Sequence, residues 1–372
     1  MFRLAPHPNF DSVIENTEKI IQENLEDEEF QHIHKIVMFQ DVETLQNYIT
    51  KHPESVKHIT KDGDTALHIV LSEYIPKWWK MAKLLLKNGA DPNVQNIKGQ
   101  TPIFYVLMWD EYEKIIKAID LLKTYNVDLF IKTIDNHNLL FYAINHKEFL
   151  ENCLSRLLKA GLNINDKDII GEAPIHIAAK SNSNSEKKVK FLLENNADVN
   201  ITNNDLNTPL HFACRHNTSI VVNILLEYNA NVNAQNSNGS TPMHYARLNI
   251  HGLSIITILL ELNNADPNIP DNNGITPIHH LYRFNRKIGK LMMPKIKNIN
   301  VKDTRTGSTP FDKVVFKFGK RLFAPFRVRN LFYNFFSEVI EFALPKEVLP
   351  TRCDSYFFFD RGALWQFIHD FM

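Results

Sequence analysis

Residues 208–240 read TPLHFACRHNTSIVVNILLEYNANVNAQNSNGS, and the next residue begins the pattern again with Thr-Pro-Met-His at 241–244. Working outward, Thr-Pro-Ile-His follows at 276–279 and Thr-Pro-Phe-Asp at 309–312. Upstream stand Ala-Pro-Ile-His at 173–176, Thr-Pro-Ile-Phe at 101–104 and Thr-Ala-Leu-His at 65–68, with Asn-Leu-Leu-Phe-Tyr-Ala at 138–143 filling the gap in eroded form. Successive starts are 36, 37, 35, 35, 33, 35 and 33 residues apart. A second signature recurs in phase with the first: Leu-Leu-Lys-Asn-Gly-Ala-Asp-Pro-Asn at 85–93, Leu-Leu-Glu-Asn-Asn-Ala-Asp-Val-Asn at 192–200, Leu-Leu-Glu-Tyr-Asn-Ala-Asn-Val-Asn at 225–233. Two motifs locked in phase over eight copies mean one supersecondary unit repeated.

The unit can be read from its chemistry. Thr followed by Pro starts a helix: Thr65, Thr101, Thr208, Thr241, Thr276 and Thr309 sit at the N-cap, where a side-chain oxygen accepts an orphan amide. Pro suits the first turn, where its missing N–H is not needed. Paired Leu residues, such as Leu192-Leu193 and Leu259-Leu260, supply the buried stripe of a second helix. That helix ends at Asn88-Gly89, Asn195-Asn196, Tyr228-Asn229 or Asn263-Asn264, residue types that tolerate a left-handed C-cap. The Asp/Asn-x-Asn run beyond forms a turn leading into a hairpin, which accounts for much of the asparagine, 40 residues in all. One unit cannot bury its own apolar face, so the units must stack.

Charge and composition exclude several functions. Lys+Arg and Asp+Glu are equal at 42, so the basic footprint needed for nucleic acid is missing. The cysteines, Cys153, Cys214 and Cys353, are odd in number and unpaired in spacing, which points to a reducing compartment and core thiols. Residues 1–16 have no continuous apolar run, and no window reaches the length of a membrane span. The chain therefore reads as cytoplasmic, with the nucleus open to it. His68, His176, His211, His244 and His279 share one register, spread along the stack too far apart to share an ion. Each ring is expected to bond to the local Thr and to the inter-repeat hairpin. No P-loop, Rossmann or metalloprotease motif occurs, so no catalytic, cofactor or metal residue is expected and the chain reads as a non-enzyme.

The two phased motifs resemble the ankyrin-repeat family over about 30–312. That resemblance implies an all-α solenoid of helix–turn–helix units with β-hairpin loops, preceded at 1–60 by a helical segment and degenerate capping repeat. The repeats proper occupy 61–312. It also implies that a protein partner is held on the concave face, formed by hairpin tips and the exposed end of each first helix. By register these are Ile169, Ile170 and Lys180, then Asp205, Asn207, Arg215 and His216, then Ser237, Asn238 and Leu248. Asn272, Asn273, Ile275, Arg283 and Phe284 complete the row. Ile169, Ile170, Ile275 and Phe284 are the apolar anchors among them. The family further implies that hairpin asparagines Asn93, Asn200 and Asn233 can be substrates for asparaginyl hydroxylation, against the plain reading of turn-forming residues.

Residues 313–372 differ in kind. Fourteen of the 25 phenylalanines lie from Phe311 to Phe371. Leu322, Phe326, Leu331, Phe335, Val339 and Phe342 fall on one helical side. Three readings stay open: a helical cap on the stack, a docking module, or an aromatic segment on a membrane surface. The run Leu344, Pro345, Lys346, Glu347, Val348 is similar to the F-box-like (PRANC-type) segment that ends some ankyrin proteins and recruits a ubiquitin-ligase adaptor. Pro350 departs from it. An adaptor and a stoichiometric inhibitor or decoy are thus the two functions the sequence leaves standing.

Overall fold

Among the described residues sixteen take left-handed backbone, and all but Gln40 and Leu206 are asparagine or glycine; those at helix ends and loop tips divide this chain into its units. A computed structural model describes residues 32–72, 77–249, 251–261, 264–279, 292–298 and 300–310. All belong to the first of two compact units, Met1–Pro310 and Phe311–Met372. The readings above for residues 1–31, Arg283, Phe284 and the tail with Leu344, Pro345, Glu347 and Val348 lie outside the described residues.

The first helices are α1 (His32–Met38) and α2 (Val42–Lys51), which together form an entry pair. They bury Ile33, Ile36, Val37, Leu45 and Ile49. Asp41 caps α2 by accepting the amides of Glu43 and Thr44, both at 3.1 Å. Each later unit consists of a loop with a tight tip, a short helix and a second helix. Unit one holds α3 (Ala66–Ser72) and α4 (Trp78–Lys87), unit two α5 (Pro102–Val106) and α6 (Tyr112–Lys123). Unit three holds α7 (Leu139–Asn145) and α8 (Glu151–Lys159), unit four α9 (Pro174–Lys180) and α10 (Ser185–Glu194). Unit five holds α11 (Pro209–His216) and α12 (Ser219–Glu227), unit six α13 (Pro242–Ala246) and α14 (Gly252–Glu261). Unit seven is described in part, from its tip at 272–274 to a 3-10 turn, Met293–Lys295. The eroded stretch at 138–143 is a full first helix, capped by Asn138, whose side chain accepts the Leu140 amide at 2.9 Å.

Stacking buries the small and branched positions that the period marks. Ala178, Ala213 and Ala246, two residues beyond the periodic histidines, are fully buried, as are Leu192, Leu225 and Leu259 on the second helices. Second helices end as their sequences dictate: Gly89, Asn196, Asn229 and Asn264 all carry left-handed φ.

The periodic histidine supplies the expected bonds and shares the capping with the threonine, which accepts the His68 amide at 3.4 Å in unit one. In unit five, His211 Nε2 lies 3.0 Å from the Ser240 carbonyl, so it carries the proton and Nδ1 is the acceptor. The Thr208 amide donates to Nδ1 at 3.1 Å, and the Thr208 hydroxyl lies 2.9 Å from the same atom. The imidazole therefore caps the helix together with the threonine that bonds to it. His68 and His244 repeat the arrangement, and His176 does so with Ala173 in place of the threonine; they reach the carbonyls of Gln100, Ile275 and Asn207 at 3.0, 2.9 and 3.0 Å. Where position 104 is Phe, the Thr101 hydroxyl is buried with no hydrogen-bond partner.

Five of the loops are each organised by one polar residue, buried in all but the half-buried Asp271. Asn96, Asp168, Asn203, Asn236 and Asp271 accept two amides apiece, two and four residues on, through Oδ1. The loops close as tight turns; among the described residues the one β-type pairing is an isolated antiparallel bridge between Ile59 and Thr65. Tip meets tip through a single backbone bond per unit. The amides of Ile97, Ile134, Ile169, Asn204, Ser237, Asn272 and Thr304 donate to the carbonyls of Asp62, Lys98, Asp135, Ile170, Asp205, Asn238 and Asn273.

Candidate partner-binding surface

The tip row is built by the backbone, with the Asn136, Asn204 and Asn272 side chains adding bonds to a neighbouring unit, so the identity of the remaining tip side chains carries information. The first ladder residue of units two, three and four is isoleucine each time: Ile97, Ile134 and Ile169 are 60%, 67% and 61% exposed. Ile170 beside the last is 52% exposed. One tip further on, Leu206 is 49% exposed and has φ +58°. Gly99, Gly171, Gly239 and Gly274 occupy that same left-handed position in other tips. A branched side chain there is strained by roughly 1 kcal/mol, and the strain holds an apolar group in water. Together these five residues place exposed aliphatic side chains on four successive tips, the kind of apolar surface that marks an interaction site.

Beside the stripe, the ends of the first helices present cations resting on aromatic rings. Lys180 is paired with Glu172 and has its Nζ 4.1 Å from the Phe212 ring centroid. Arg215 lies over Tyr245, with Cζ 5.8 Å from the centroid. Such contacts fix long side chains in place. A shallow cleft of about 240 Å³ opens between units five, six and seven, lined by Arg215, Tyr245, Arg247, Leu248, Asp271 and Ile275. His216 is exposed, and its pKa is lowered by partial burial and by the positive charges of Arg215 and Lys180.

The expected contact residues fall into three groups. Ile169, Ile170, Asp205, Arg215, His216, Ser237, Asn238, Leu248, Asn272 and Asn273 are exposed. Lys180 and Ile275 are half-buried, Ile275 as a wall of the cleft rather than a projecting anchor. Asn207 is a correction. It is 6% exposed, its carbonyl accepts the His176 ring and its Oδ1 accepts the Asn236 amide at 2.8 Å, so its side chain faces the next unit. Arg283 and Phe284 lie outside the described residues. Ile97, Ile134 and Leu206 were missed, although aligning the residue two before each left-handed tip position, Gly99 and Asn136 among them, would have shown the first two.

The asparagines named for hydroxylation are each bonded at both ends. Asn93 donates to the Asn126 carbonyl at 3.1 Å and accepts the Asp128 amide at 2.7 Å. Asn200 does the same with Asn229 and Asn231, and Asn233 with Asn264 and Asp266. Cys153 and Cys214 are fully buried, and burial pushes the Cys153 thiol up to about 12 and the Cys214 thiol higher still, so neither is a nucleophile. No group of three or more His, Cys, Asp or Glu side chains among the described residues could hold a metal ion.

The family profile described as "Ankyrin repeats (3 copies)" matches residues 77–168, 107–203 and 175–271, more than half of the chain. The chain belongs to the ankyrin-repeat family. It is 28% identical over 183 residues to an ankyrin repeat protein of Acanthamoeba polyphaga mimivirus, covering 46% of this chain and 27% of that one. A fowlpox virus ankyrin repeat protein is 32% identical over 145 residues, 36% of this chain and 66% of the relative. Human Rabankyrin-5 is 29% identical over 184 residues, 41% of this chain and 15% of the relative. Among solved structures, the human ASB11 ankyrin repeat domain aligns over 57% of this chain and 90% of its own, at a TM-score of 0.47 and 23% identity. This ankyrin-repeat array is a protein–protein interaction module, of a family and fold typically without catalytic activity. No helix among the described residues is long and apolar enough to cross a membrane.

Proposed function

We propose that this protein holds an intracellular protein partner along the tip row of units two to five, with the aromatic-backed cations and the cleft of units four to seven orienting it. The observation that carries this reading is Leu206. A glycine would relieve the backbone there, yet the position keeps an exposed aliphatic side chain in line with Ile97, Ile134, Ile169 and Ile170. Strain retained at a solvent-facing apolar residue is a mark of contact with something else.

The Leu206→Gly variant separates the two roles of that residue. It is expected to raise stability by about 0.5–1 kcal/mol, through relief of left-handed strain offset by chain entropy, while weakening capture of the partner. Quantitative affinity purification of the wild type, Leu206→Gly and Ile169→Asp/Ile170→Asp chains reads the second effect. A partner retained equally by all three would show that the tips are not the contact.

The finer role we assign is that of an adaptor, whose C-terminal segment with Leu344, Pro345, Glu347 and Val348 recruits a ubiquitin-ligase adaptor protein. Its support is the similarity of that run alone. Deleting residues 313–372 should then lose ligase components and keep the tip-bound partner. If no ligase component accompanies the full chain, the role reverts to a stoichiometric inhibitor or decoy.

A further inference from the structure

Two neutral fasteners recur between units: the ring of the periodic histidine on the next loop's carbonyl, and an asparagine amide bonded at both ends to the next unit. Units one and two are joined by His68, two and three by Asn93, four and five by His176 with Asn165 accepting the Asp198 amide. Units five and six have both fasteners, through His211 and Asn200, and units six and seven have His244 and Asn233.

Between units three and four both are replaced. Phe141 stands at the histidine position and stacks on His137 of its own loop, with centroids 4.7 Å apart and planes 20° from parallel. Phe130 stands at the asparagine position, largely exposed. Charge takes their place. Lys132 Nζ meets Asp166 Oδ2 at 2.9 Å, and His137 Nε2 lies 3.4 Å from Asp168 Oδ2. The Asn138 amide also donates to Asp166. Lys188, 1% exposed, donates from Nζ to the His146 carbonyl across the junction at 2.8 Å. The tip bond from Ile169 to Asp135 is kept, and the side-chain amides of Asn136 and Asn184 donate across the junction to the Lys167 and Lys147 carbonyls.

We infer that the junction between units three and four is an ionic hinge, the place where the array loosens first as ionic strength rises. The side chains of Lys132 and Asp166 are about a third and a fifth exposed, so dissolved salt screens their attraction. Lys147–Asp110 and Arg156–Asp120 also cross between units two and three, but that junction keeps the neutral bonds of Asn93 and of His146 to the Trp109 carbonyl, which salt does not screen. The hinge falls between Ile134 and Ile169, so it sets whether the apolar stripe is offered as one surface or as two. That last consequence rests on the tip row being the contact; the hinge itself stands on its fastening.

Hydrogen exchange of the full chain, followed by mass spectrometry at about 0.02 M and about 1 M sodium chloride, tests it with no partner present. Amides of α7 to α10 should exchange about threefold faster or more at high salt, while those of α11 to α14 keep their rates. Uniform acceleration, or none beside the junction, would overturn the hinge and leave the tip reading untouched. The Phe130→Asn/Phe141→His double variant should lose the salt response. Should that variant fail to fold, Lys132→Gln/Asp166→Asn should lose it as well, and persistence of the response in that pair would overturn the ionic origin.

Discussion

At the scale of single residues, the molecule shows what becomes of a polar group when its partner is changed. Thr101 is fully buried, and its hydroxyl is orphaned because Phe104 replaces the periodic histidine. Thr101→Val should raise stability by about 1 kcal/mol, whereas Thr208→Val should lower it by a similar amount, because Thr208 serves His211. Denaturant midpoints of the two variants read the contrast, and equal shifts of one sign would refute it. Lys188 is the second case. Burial lowers its pKa from 10.5 to about 8, with Glu148 opposing weakly. Between those values the unfolded chain binds more protons than the folded one, so stability rises with pH from about 8 to 10.5 and is lowest below 8. Lys188→Met should therefore be more stable at neutral pH by about 2 kcal/mol, once the bond to His146 is subtracted, and should lack the alkaline gain. A wild-type midpoint that stays flat from pH 8 to 10 would contradict this. Neither effect was legible in sequence. A lysine reads as a solvated side chain, and a threonine at an N-cap reads as an acceptor of amides rather than a partner of imidazole.

At the scale of elements, most of the fold was legible, because the signals are local. Thr-Pro, the left-handed residues at Gly89, Asn196, Asn229 and Asn264, and the buried alanines follow directly from backbone sterics and spacing. The eroded helix at 139–145 was placed by phase rather than by motif. What local signals could not give was orientation across units, which is why Asn207 was assigned to the surface and turned out to face its neighbour. Loop tips obey the same division. Gly239, at φ +73°, would carry a Cβ 2.6 Å from Asn272 Oδ1 and 2.9 Å from the Asn272 amide nitrogen of the next tip. Gly89 is also left-handed but has nothing within 4 Å of such an atom. Gly89→Ala should cost about 1 kcal/mol and Gly239→Ala at least twice that, the excess coming from the tip-to-tip bond it disturbs. Equal losses on thermal unfolding would show that tips do not depend on their neighbours.

For the molecule as a whole, the repeated histidine makes acid sensitivity a property of the array. Burial lowers the pKa of His176 and His211 to about 4, and lowers those of His68 and His244 in the same direction. The unfolded chain takes up these protons near pH 6.5 and the folded chain resists until about 4, so stability is present above 6.5 and is lost as pH falls through that window. The loss should be on the order of 2–3 kcal/mol for each of His176 and His211. Urea midpoints should fall steeply between pH 6.5 and 5, above the range in which carboxylates titrate; a flat midpoint there would remove the imidazole caps from the account. The proposed binding surface was only half legible at this scale. Its cationic part follows from register, whereas the stripe of Ile97, Ile134 and Leu206 emerges once the tips are set side by side.

The bond that sets them side by side uses backbone atoms alone, one amide and one carbonyl per unit. It is therefore blind to sequence, and the stretch 208–240 carries one side-chain fastener of each kind: His211, which reaches Ser240, the last residue before the pattern restarts, and Asn233. Copying 208–240 in tandem would give each new imidazole its carbonyl and each new tip its amide donor without altering another position. The chain can thus lengthen by duplication of that segment, and the reach of its tip row is a quantity that unequal crossing-over can change in whole steps.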